Sequence, residues 1–318
     1  MGFDVALILA LAFIIDALWG EPGWIYRRLP HPVVLMSDAL MMGEKWLNNP
    51  AWSRAVRYLT GSVLALAAVA LMYCIGIGFE HILTDSIWGY GILVLITSTM
   101  LAGRSLYDHV RDVGLALEQN NIETARRAVS QIIGRDPTQL DEPAIARAAL
   151  ESLSENFSDG IVAPAFWFLI GGLPGILIYK MVNTADSMIG NRSERFETFG
   201  WAAARLDDVL NLIPARLTAL LFALASLPFG RAHHVLGTAW RDAGKHLSPN
   251  AGWPEAAFAA ALEIRLGGPR RYPGNVIVDG VWLGSGGEAT SDHITRGLKL
   301  ALISWELLLC ATLIWGMQ

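Results

Sequence analysis

The sequence predicts an all-α integral membrane protein with about four to five membrane helices, built as a single membrane-embedded catalytic domain. Its 318 residues are 53% hydrophobic and only 17% charged. Their mean hydropathy of +0.40 is too apolar for an ordinary soluble domain. Polar clusters lie between the apolar runs and predict a broken or re-entrant helix hairpin together with cytoplasmic helical segments.

The N-terminal region, residues 1–103, contains the first predicted membrane helices. Residues 2–18 form an apolar run without the basic start and cleavage site of a signal peptide, so we expect this run to be retained. Residues 58–79 and 87–103 are long and apolar enough to span a bilayer. Cys74 and Cys310 both lie in apolar runs, which predicts buried thiols rather than a disulfide.

The distribution of basic residues predicts which segments face the cytoplasm. The loop at residues 20–57 contains five Lys and Arg residues, whereas the short loop at residues 80–86 contains none. Cytoplasmic loops of membrane proteins are enriched in Lys and Arg, so residues 20–57 and the chain after Gly103 are expected on the cytoplasmic side. Residues 104–156 then form cytoplasmic helices with a charged, solvated face.

Residues 157–230 contain the motifs on which the functional interpretation depends. The apolar run at residues 161–182 is interrupted by the segment GGLPG. Its two arms, of about ten residues each, are too short to cross the bilayer twice. A broken helix is allowed at this depth where its backbone is covered by protein or lines a wet cavity. Residues 212–230 are a further candidate span, and either zero or two crossings between residues 104 and 231 satisfy the charge pattern.

The C-terminal part combines a polar region, residues 231–297, with a last membrane helix, residues 298–318. The polar region is rich in arginine and is expected to be cytoplasmic. Its segment SPNAGWPE predicts a turn that leads into a helix beginning near Pro254. Ser248, Asn250 and the amides of that helix start are candidates for holding a phosphate, although an ordered connector explains the same residues.

Two polar clusters flank the apolar run at residues 161–182. The cluster before it consists of Glu151, Glu155, Asn156 and Asp159. The cluster after it consists of Lys180, Asn183, Asp186, Arg205, Asp207, Asp208, Asn211 and Arg216. Helical spacing places Glu151, Glu155 and Asp159 on one face. Such groups beside apolar helices are costly unless they are paired, bind a metal or face water, so the clusters indicate either a site or a set of caps and ion pairs.

The chemistry of these clusters points to magnesium and phosphate. The sequence contains no Walker A, GxGxxG, HExxH or GxSxG motif and no basic tract suited to nucleic acid. Carboxylate and amide oxygens of Asp186, Asp207 and Asp208, with Asn183 and Asn211, are the ligands that Mg²⁺ takes while it bridges phosphates. The arginines Arg192, Arg205 and Arg216 are suited to clamp phosphate.

Two classes of protein fit this description. One is an enzyme acting on phosphorylated substrates, among which a magnesium-dependent prenyl or phospho-alcohol transferase is a rival. The other is a transporter, which should show repeated hydropathy in two halves. The sequence shows no such repeat.

A series of motifs resembles the CobD/CbiB family of cobalamin biosynthesis, the adenosylcobinamide-phosphate synthases. The motifs are ESLSENFSDGIVAP, YKMVNTADSMIG, FGWAAARLDDVLNLIPARLTA and SPNAGWPEAA, supported by DALWGEPGWIYRRLPHPV, AGRSLYDHV and IIGRDPTQLDE. The resemblance covers residues 16–275 in order and without large gaps. One departure is Ser37, where the family pattern has Gly, and it lies away from the acidic clusters.

The resemblance implies a membrane enzyme that forms an amide with ATP and Mg²⁺. The family joins adenosylcobyric acid to (R)-1-amino-2-propanol, either as its O-phosphate or as the free amino alcohol. In this chain Asp186, Asp207 and Asp208 would bind Mg²⁺, and one of Glu151, Glu155 or Asp159 would accept the amine's proton. The remaining groups would neutralise phosphates or orient substrates, namely Lys180, Arg205 and Arg216, Asn156, Asn183 and Asn211, and Ser248 and Asn250.

The resemblance also carries expectations about location and partners. The active site would face the cytoplasm from the cell inner membrane, with the lipid bilayer as a permanent partner. A homo-oligomer and association with other membrane enzymes of cobalamin assembly are further expectations, and nucleic acid is excluded. A corrinoid transporter remains the second alternative beside the transferase.

Overall fold

A computed structural model of the protein describes residues 5–191, 193–272, 276–278 and 280–317. Helices dominate these residues and confirm the predicted all-α class. In chain order they are α1 (Val5–Trp19), α2 (Gly23–Tyr26), α3 (Pro32–Leu47), α4 (Arg54–Leu83), α5 (Ile87–Thr99), α6 (Gly103–Glu118), α7 (Ile122–Val129), α8 (Glu142–Phe157), α9 (Ala163–Ile189), α10 (Trp201–Leu210), α11 (Leu212–Ala225), α12 (Ala232–Asp242), α13 (Gly252–Leu262) and α14 (Ser291–Trp315).

The chain divides into two compact units. The first unit comprises Met1–Ala102, Ala163–Asn211 and Thr312–Gln318. The second unit comprises Gly103–Val162 and Leu212–Ala311. Within the first unit α9 packs against α3, α4 and α10, and within the second α13 packs against α8, α11 and α12.

The apolar helices make the chain a multi-pass membrane protein by their length and composition. Among the described residues, the stretches that are long and apolar enough to cross a membrane are Arg54–Leu83, Ile87–Glu118, Glu142–Ile189 and Ser291–Trp315. Three of them overlap the spans predicted at residues 58–79, 87–103 and 298–318. The helices α10 and α11 pass the same test only as a pair, and α1 is apolar but shorter.

Helix α9 is broken at the GGLPG segment, which confirms the predicted interruption. Gly171 and Gly172 have non-helical backbone angles, and Gly172 has φ +58°, a conformation that residues with a Cβ rarely adopt. The helix resumes at Leu173, whose backbone N–H donates to Oε1 of Glu80 at 2.7 Å. A carboxylate of α4 therefore caps the second half of α9, where the positive end of the helix dipole favours an anion.

A buried carboxylate ties α3 to the loop after α9 in the first unit. Glu44 is only 1% exposed and accepts hydrogen bonds from Arg195 at 2.9 and 2.6 Å and from Nδ2 of Asn48 at 2.8 Å. Arg57 of α4 donates to Oδ1 of Asn48 at 3.0 Å and also contacts the carbonyl of Arg195. Because each charge is paired, burial of Glu44 is tolerated.

The second unit is built around α13, whose side chains are buried almost throughout. The ring of Phe222 on α11 lies 5.2 Å from that of Phe157 and 4.8 Å from that of Phe258. Aromatic rings at these separations contribute packing energy beyond the area they bury. Gly297 on α14 fits against the same cluster, because a Cβ there would lie 2.7 Å from Cδ2 of Leu150.

Residues 231–297, for which loops and helices were predicted, also contain short strands. They are β1 (Leu266–Gly267), β2 (Arg270–Tyr272), β3 (Val276–Val278) and β4 (Trp282–Leu283). Strand β1 pairs with β4 and strand β2 pairs with β3, both antiparallel. These strands are too short for the alternating pattern that reveals a strand in sequence.

The two cysteines are free, as predicted, but the expectation that they are buried is wrong. Cys74 and Cys310 are exposed on the protein surface. They lie on α4 and α14, which are candidate spans, and lipid tails are as apolar as a protein core. An apolar sequence run therefore does not distinguish a residue inside the protein from one that faces lipid.

The break in α9 yields a stability prediction. We expect Gly172→Ala to destabilise the protein by about 1–3 kcal/mol, because the new Cβ would lie 2.3 Å from Oε1 of Glu80 at a positive φ. Gly171→Ala is the matched control, since nothing lies within 4 Å of a Cβ there. Thermal unfolding in detergent measures both, and equal melting temperatures would contradict the role assigned to Gly172.

Candidate functional site

A polar network joins α9 to the end of α10 in the first unit. Both carboxylate oxygens of Asp207 accept from amides, Oδ1 from Asn183 at 3.2 Å and Oδ2 from Asn211 at 3.0 Å. Oδ1 of Asn211 in turn accepts from the hydroxyl of Tyr179 at 3.0 Å. Tyr179 is 0% and Asn211 1% exposed. The sequence prediction that Asn183, Asp207 and Asn211 come together is therefore confirmed. Tyr179 is a further member of the network that was not predicted from the sequence.

Helical periodicity explains why this network forms. Tyr179, Asn183 and Asp186 follow one another at i, i+4 and i+7 on α9, and Asp207 and Asn211 are one turn apart. Each amide donates to the carboxylate, so the orientation of Asp207 is fixed from two elements. The result is a set of oxygen atoms in fixed positions, of the kind that Mg²⁺ and other hard cations bind.

The other predicted residues of the first unit lie beside this network in sequence. Asp208 pairs with Arg205 at 2.8 Å, three residues earlier on α10. The carboxylate of Asp186 covers Gly190, because a Cβ on that glycine would lie 2.0 Å from its Oδ1. The predicted phosphate clamp Arg192 lies outside the described residues.

Lys180 contributes a positive charge near the start of α3. The pKa of His31, which caps α3, is lowered by burial and further by the charge of Lys180, while Glu21 acts in the opposite direction. His31 was not singled out from the sequence, although its position before Pro32 marks a helix start.

Among the described residues, no group of three or more His, Cys, Asp and Glu side chains is arranged to hold a metal ion. The predicted ligands Asp207 and Asp208 are instead bonded to amides and to Arg205. Mg²⁺ commonly uses one or two protein carboxylates together with substrate phosphates rather than a complete protein cage. The oxygen atoms around Asp207 are of the type that would take one or two positions on an ion bound together with a phosphorylated substrate.

The acidic cluster of α8 belongs to the second unit. Glu151 is 6% exposed and accepts the backbone N–H of Gly267 at 2.7 Å. Arg135 at 3.4 Å and Arg147 at 3.9 Å lie on either side of the same carboxylate. Glu151 thus connects α8 to β1. This contact could not be predicted from the sequence because the two residues are far apart in the chain.

The rest of that cluster is more open. Glu155 and Asn156 are exposed one helical turn after Glu151, and Asp159 is partly exposed in the π-helical turn Ser158–Val162. A π turn is a common feature of functional sites because it redirects side chains within a helix. Glu151 and Glu155 were predicted to share one helical face with Asp159. The π turn changes the direction of that face before the chain reaches Asp159.

A second set of predicted residues lies at the start of α13. Arg216 on α11 donates to Oδ1 of Asn250 at 3.2 Å and stacks 4.7 Å above the ring of Trp253. The hydroxyl of Ser248 accepts the backbone N–H groups of Asn250 and Ala251, each at 3.2 Å. The structure brings Arg216, Ser248 and Asn250 together, and the hydroxyl of Ser248 stabilises the turn that precedes α13.

Sequence reasoning missed a buried carboxylate at the end of α12. Asp242 is 1% exposed and is held by Arg241 and Lys245, with the backbone N–H of Gly284 donating at 3.1 Å. Hydrogen bonds from Arg241, together with Lys245 and Gly284, hold the pKa of Asp242 far below its usual range in spite of burial. The spacing of Arg241, Asp242 and Lys245 in the sequence is compatible with these ion pairs. The same spacing is typical of an exposed helix face, so it did not indicate a buried carboxylate.

Comparisons with known proteins identify the relatives of this chain. Residues 9–301 match the family model described as CobD/Cbib protein. A protein named Cobalamin biosynthesis protein CobD from Sinorhizobium sp is 46% identical over 309 residues, covering 94% of each chain. Proteins of the same name from Brucella suis biovar 1 (strain 1330) and Rhodobacter capsulatus are 47% and 46% identical, covering 93% and 94% of this chain and 91% and 93% of their own. No solved structure matches the chain.

The environment of Asp242 predicts a pH-dependent stability. Its folded-state pKa lies below the unfolded value of about 3.9, so its stabilising contribution is complete above that pH and is lost as the pH falls through the lower folded-state pKa. We expect Asp242→Asn to cost ~1.5–3 kcal/mol at pH 7. The difference from wild type should shrink as the pH is lowered below about 4.

Thermal unfolding in detergent between pH 7 and 3 measures this difference. Asp292→Asn is the matched control, because the Asp292 side chain is 73% exposed, and exposed ion pairs contribute little. A deficit in Asp242→Asn that stays constant down to pH 3 would contradict the assigned role.

Proposed function

Because the chain belongs to the CobD/CbiB family of cobalamin biosynthesis proteins, we propose that it is an amide-forming ligase. It would join a propionate side chain of adenosylcobyric acid to the amine of (R)-1-amino-2-propanol O-phosphate, or of the free amino alcohol, and consume ATP. The observation that carries this proposal is the family match over residues 9–301, which includes both polar clusters. Adenosylcobinamide phosphate, or adenosylcobinamide, is the product.

The proposed reaction needs an activated carboxylate. A carboxylate is a poor electrophile, so its oxygen first attacks the terminal phosphorus of ATP, which forms an acyl phosphate and releases ADP. The amine then attacks the acyl carbon, the C–N bond forms, and phosphate leaves with the electron pair of the broken C–O bond. The ammonium proton passes to a base. The protein supplies cations, oriented oxygen atoms and exclusion of water, and no covalent protein intermediate is required.

The network around Asp207 supports a role in binding nucleotide phosphates with Mg²⁺. Asp186, Asp207 and Asp208 are the proposed carboxylates for the ion, which when bound would neutralise phosphate oxygens. Asn183 and Asn211 hold Asp207 in one orientation. Lys180 and Arg205 are cations of the same unit and would stabilise the charge that develops on the transferred phosphate.

The Arg216 cluster of the second unit has a proposed role in substrate binding. Arg216 is a cation with a fixed amide partner, Asn250, and a stacked aromatic ring, Trp253. Guanidinium groups held in this way recognise phosphate with two parallel hydrogen bonds. Together with Ser248, this cluster would bind a phosphate or the amide groups of the corrin.

The proposed location is the inner membrane with the active site on the cytoplasmic side. Reporter fusions after Ile189 and after Ala251 test this location, because the charge distribution predicts that both positions face the cytoplasm. We expect cytoplasmic reporters to be active and exported reporters to be inactive at both positions. An active exported reporter at either position would contradict the proposed orientation.

The proposed activity is tested with purified protein in detergent, adenosylcobyric acid, each amine in turn, ATP and Mg²⁺. Mass spectrometry of the product should detect the new amide, which neither a transferase nor a transporter would form. Asp208→Asn should reduce amide formation by at least ~100-fold, because one of the carboxylates proposed to hold Mg²⁺ beside the developing phosphate charge is lost.

The control for that variant is Arg111→Glu, which changes an exposed side chain paired with Asp108 and Asp112 and should leave the rate within about twofold. Circular dichroism should show both variants folded. Wild-type rates in a folded Asp208→Asn protein would remove Asp208 from the site, and the absence of any amide with wild type would reject the ligase.

A further inference from the structure

A cavity of about 260 Å³ lies between α8 and the loop that follows α7. It is contained entirely in the second unit, and its polar wall is formed by Arg135, Glu151, Ser152, Glu155 and Asn156. Its volume is below the ~300–1,000 Å³ typical of sites for drug-sized ligands. A corrin ring or a complete nucleotide does not fit inside, whereas a small metabolite does.

The inner part of the cavity contains the guanidinium group of Arg135. The Arg135 side chain is 12% exposed and lies 3.4 Å from Oε2 of Glu151, whose side chain is 8% exposed. The other oxygen, Oε1, accepts the backbone N–H of Gly267 at 2.7 Å and has Arg147 at 3.9 Å. Arg135 lines the cavity, so its guanidinium is the group that an anionic ligand at this end would contact. A guanidinium fork is the side chain best matched to phosphate.

The opposite charge lies at the outer part. Glu155 is exposed and follows Glu151 by one turn of α8, a displacement of about 6 Å along the helix axis. Nearby, Asn156 donates to the carbonyl and hydroxyl of Ser152 at 2.9 and 3.0 Å, and Ser152 donates to the carbonyl of Ile132 at 2.8 Å. The wall between the two charges is therefore held in one arrangement, with the amide oxygen of Asn156 as a further acceptor.

We propose that this cavity binds the phosphorylated amino alcohol, with the phosphate on Arg135 and the ammonium group on Glu155. The inference rests on the proposed ligase function and identifies where its smaller substrate binds. Such a molecule carries an anion and a cation separated by two carbons and an oxygen, which matches a short cavity with a cationic end and an anionic end. Its two charges would be matched by groups already on the wall.

The same geometry selects the base among the acidic residues of α8. Glu151 is buried and committed to Gly267 and Arg135, so its carboxylate is occupied in holding the fold. Glu155 is accessible and would contact the ammonium nitrogen directly. Glu155 first accepts one proton from the bound ammonium group, which frees the nitrogen lone pair for attack on the acyl carbon. As the C–O bond breaks, the departing phosphate takes the second nitrogen proton. Glu155 is then a catalytic residue and Arg135 a substrate-binding residue.

The test compares Michaelis constants for each substrate. Arg135→Met should raise KM for the phosphorylated amine by at least ~10-fold, the loss expected for a charge-assisted hydrogen bond. It should leave KM for ATP, adenosylcobyric acid and the unphosphorylated amine unchanged. Arg127→Met is the matched control, because Arg127 is exposed and donates to Thr124 on the same helix at 3.2 Å, and it should change none of these constants.

A second variant tests the base and guards against misfolding. Glu155→Gln should lower kcat by ~100-fold or more, remove the acidic limb of the pH–rate profile and leave KM for ATP unchanged. Arg135→Lys keeps the charge and replaces Arg135→Met if that variant does not fold, with a smaller increase in the same KM. An unchanged KM for the phosphorylated amine, or an increase confined to ATP or the corrinoid, would overturn the proposal.

Direct binding separates this proposal from the ligase function. Calorimetric titration of wild type with aminopropanol phosphate alone should give a saturable isotherm that Arg135→Met abolishes and Arg127→Met retains. Binding with this dependence, but without amide formation, would reject the ligase and keep the cavity as a site for the phosphorylated amine. Amide formation without this dependence would reject the cavity and keep the ligase.

Discussion

The rest of this structure depends on one constraint, which is that polar groups among apolar helices must find partners within the protein. An unpaired buried amide or carboxylate is costly, and inside a bilayer no water replaces the missing partner. The chain meets this constraint at the α9 break through Glu80. At the α9–α10 contact it does so through the bonds that Asn183 and Asn211 donate to Asp207. A membrane chain places such groups at a cost in stability, so the few places where they concentrate are the candidates for its chemistry.

The polar residues fall into two groups that differ in what they contact. Glu44 and Asp242 are almost completely buried and face cations and backbone groups of neighbouring segments, which is how a carboxylate joins elements. Glu155, by contrast, is exposed on the wall of the cavity beside α8. The distinction matters for function, because a group committed to the fold cannot easily change its proton or its ligand during a reaction.

Much of the fold could be predicted from the sequence because it depends on local patterns. The apolar run within α4 and the interruption of α9 are visible in residue order, and the one-turn spacing of Asp207 and Asn211 predicts their contact. What could not be predicted depends on pairs far apart in the chain. The contact of Glu44 with Arg195, the bond from Gly267 to Glu151 and the pairing of β1 with β4 each require the folded backbone. The cavity beside α8 includes Glu151, one member of such a distant pair, so the residue types of its wall are visible in the sequence but their arrangement is not.

The central claim is that the network around Asp207 receives a magnesium ion together with nucleotide phosphates. Electron paramagnetic resonance of Mn²⁺, added in place of Mg²⁺ with a non-hydrolysable ATP analogue, measures this binding without any need for turnover. Wild-type protein should show bound Mn²⁺ with hyperfine coupling to phosphorus, and a folded protein carrying both Asp186→Asn and Asp207→Asn should bind Mn²⁺ at least ~10-fold more weakly. Equal Mn²⁺ affinity and equal coupling in the two proteins would show that these carboxylates serve the fold alone.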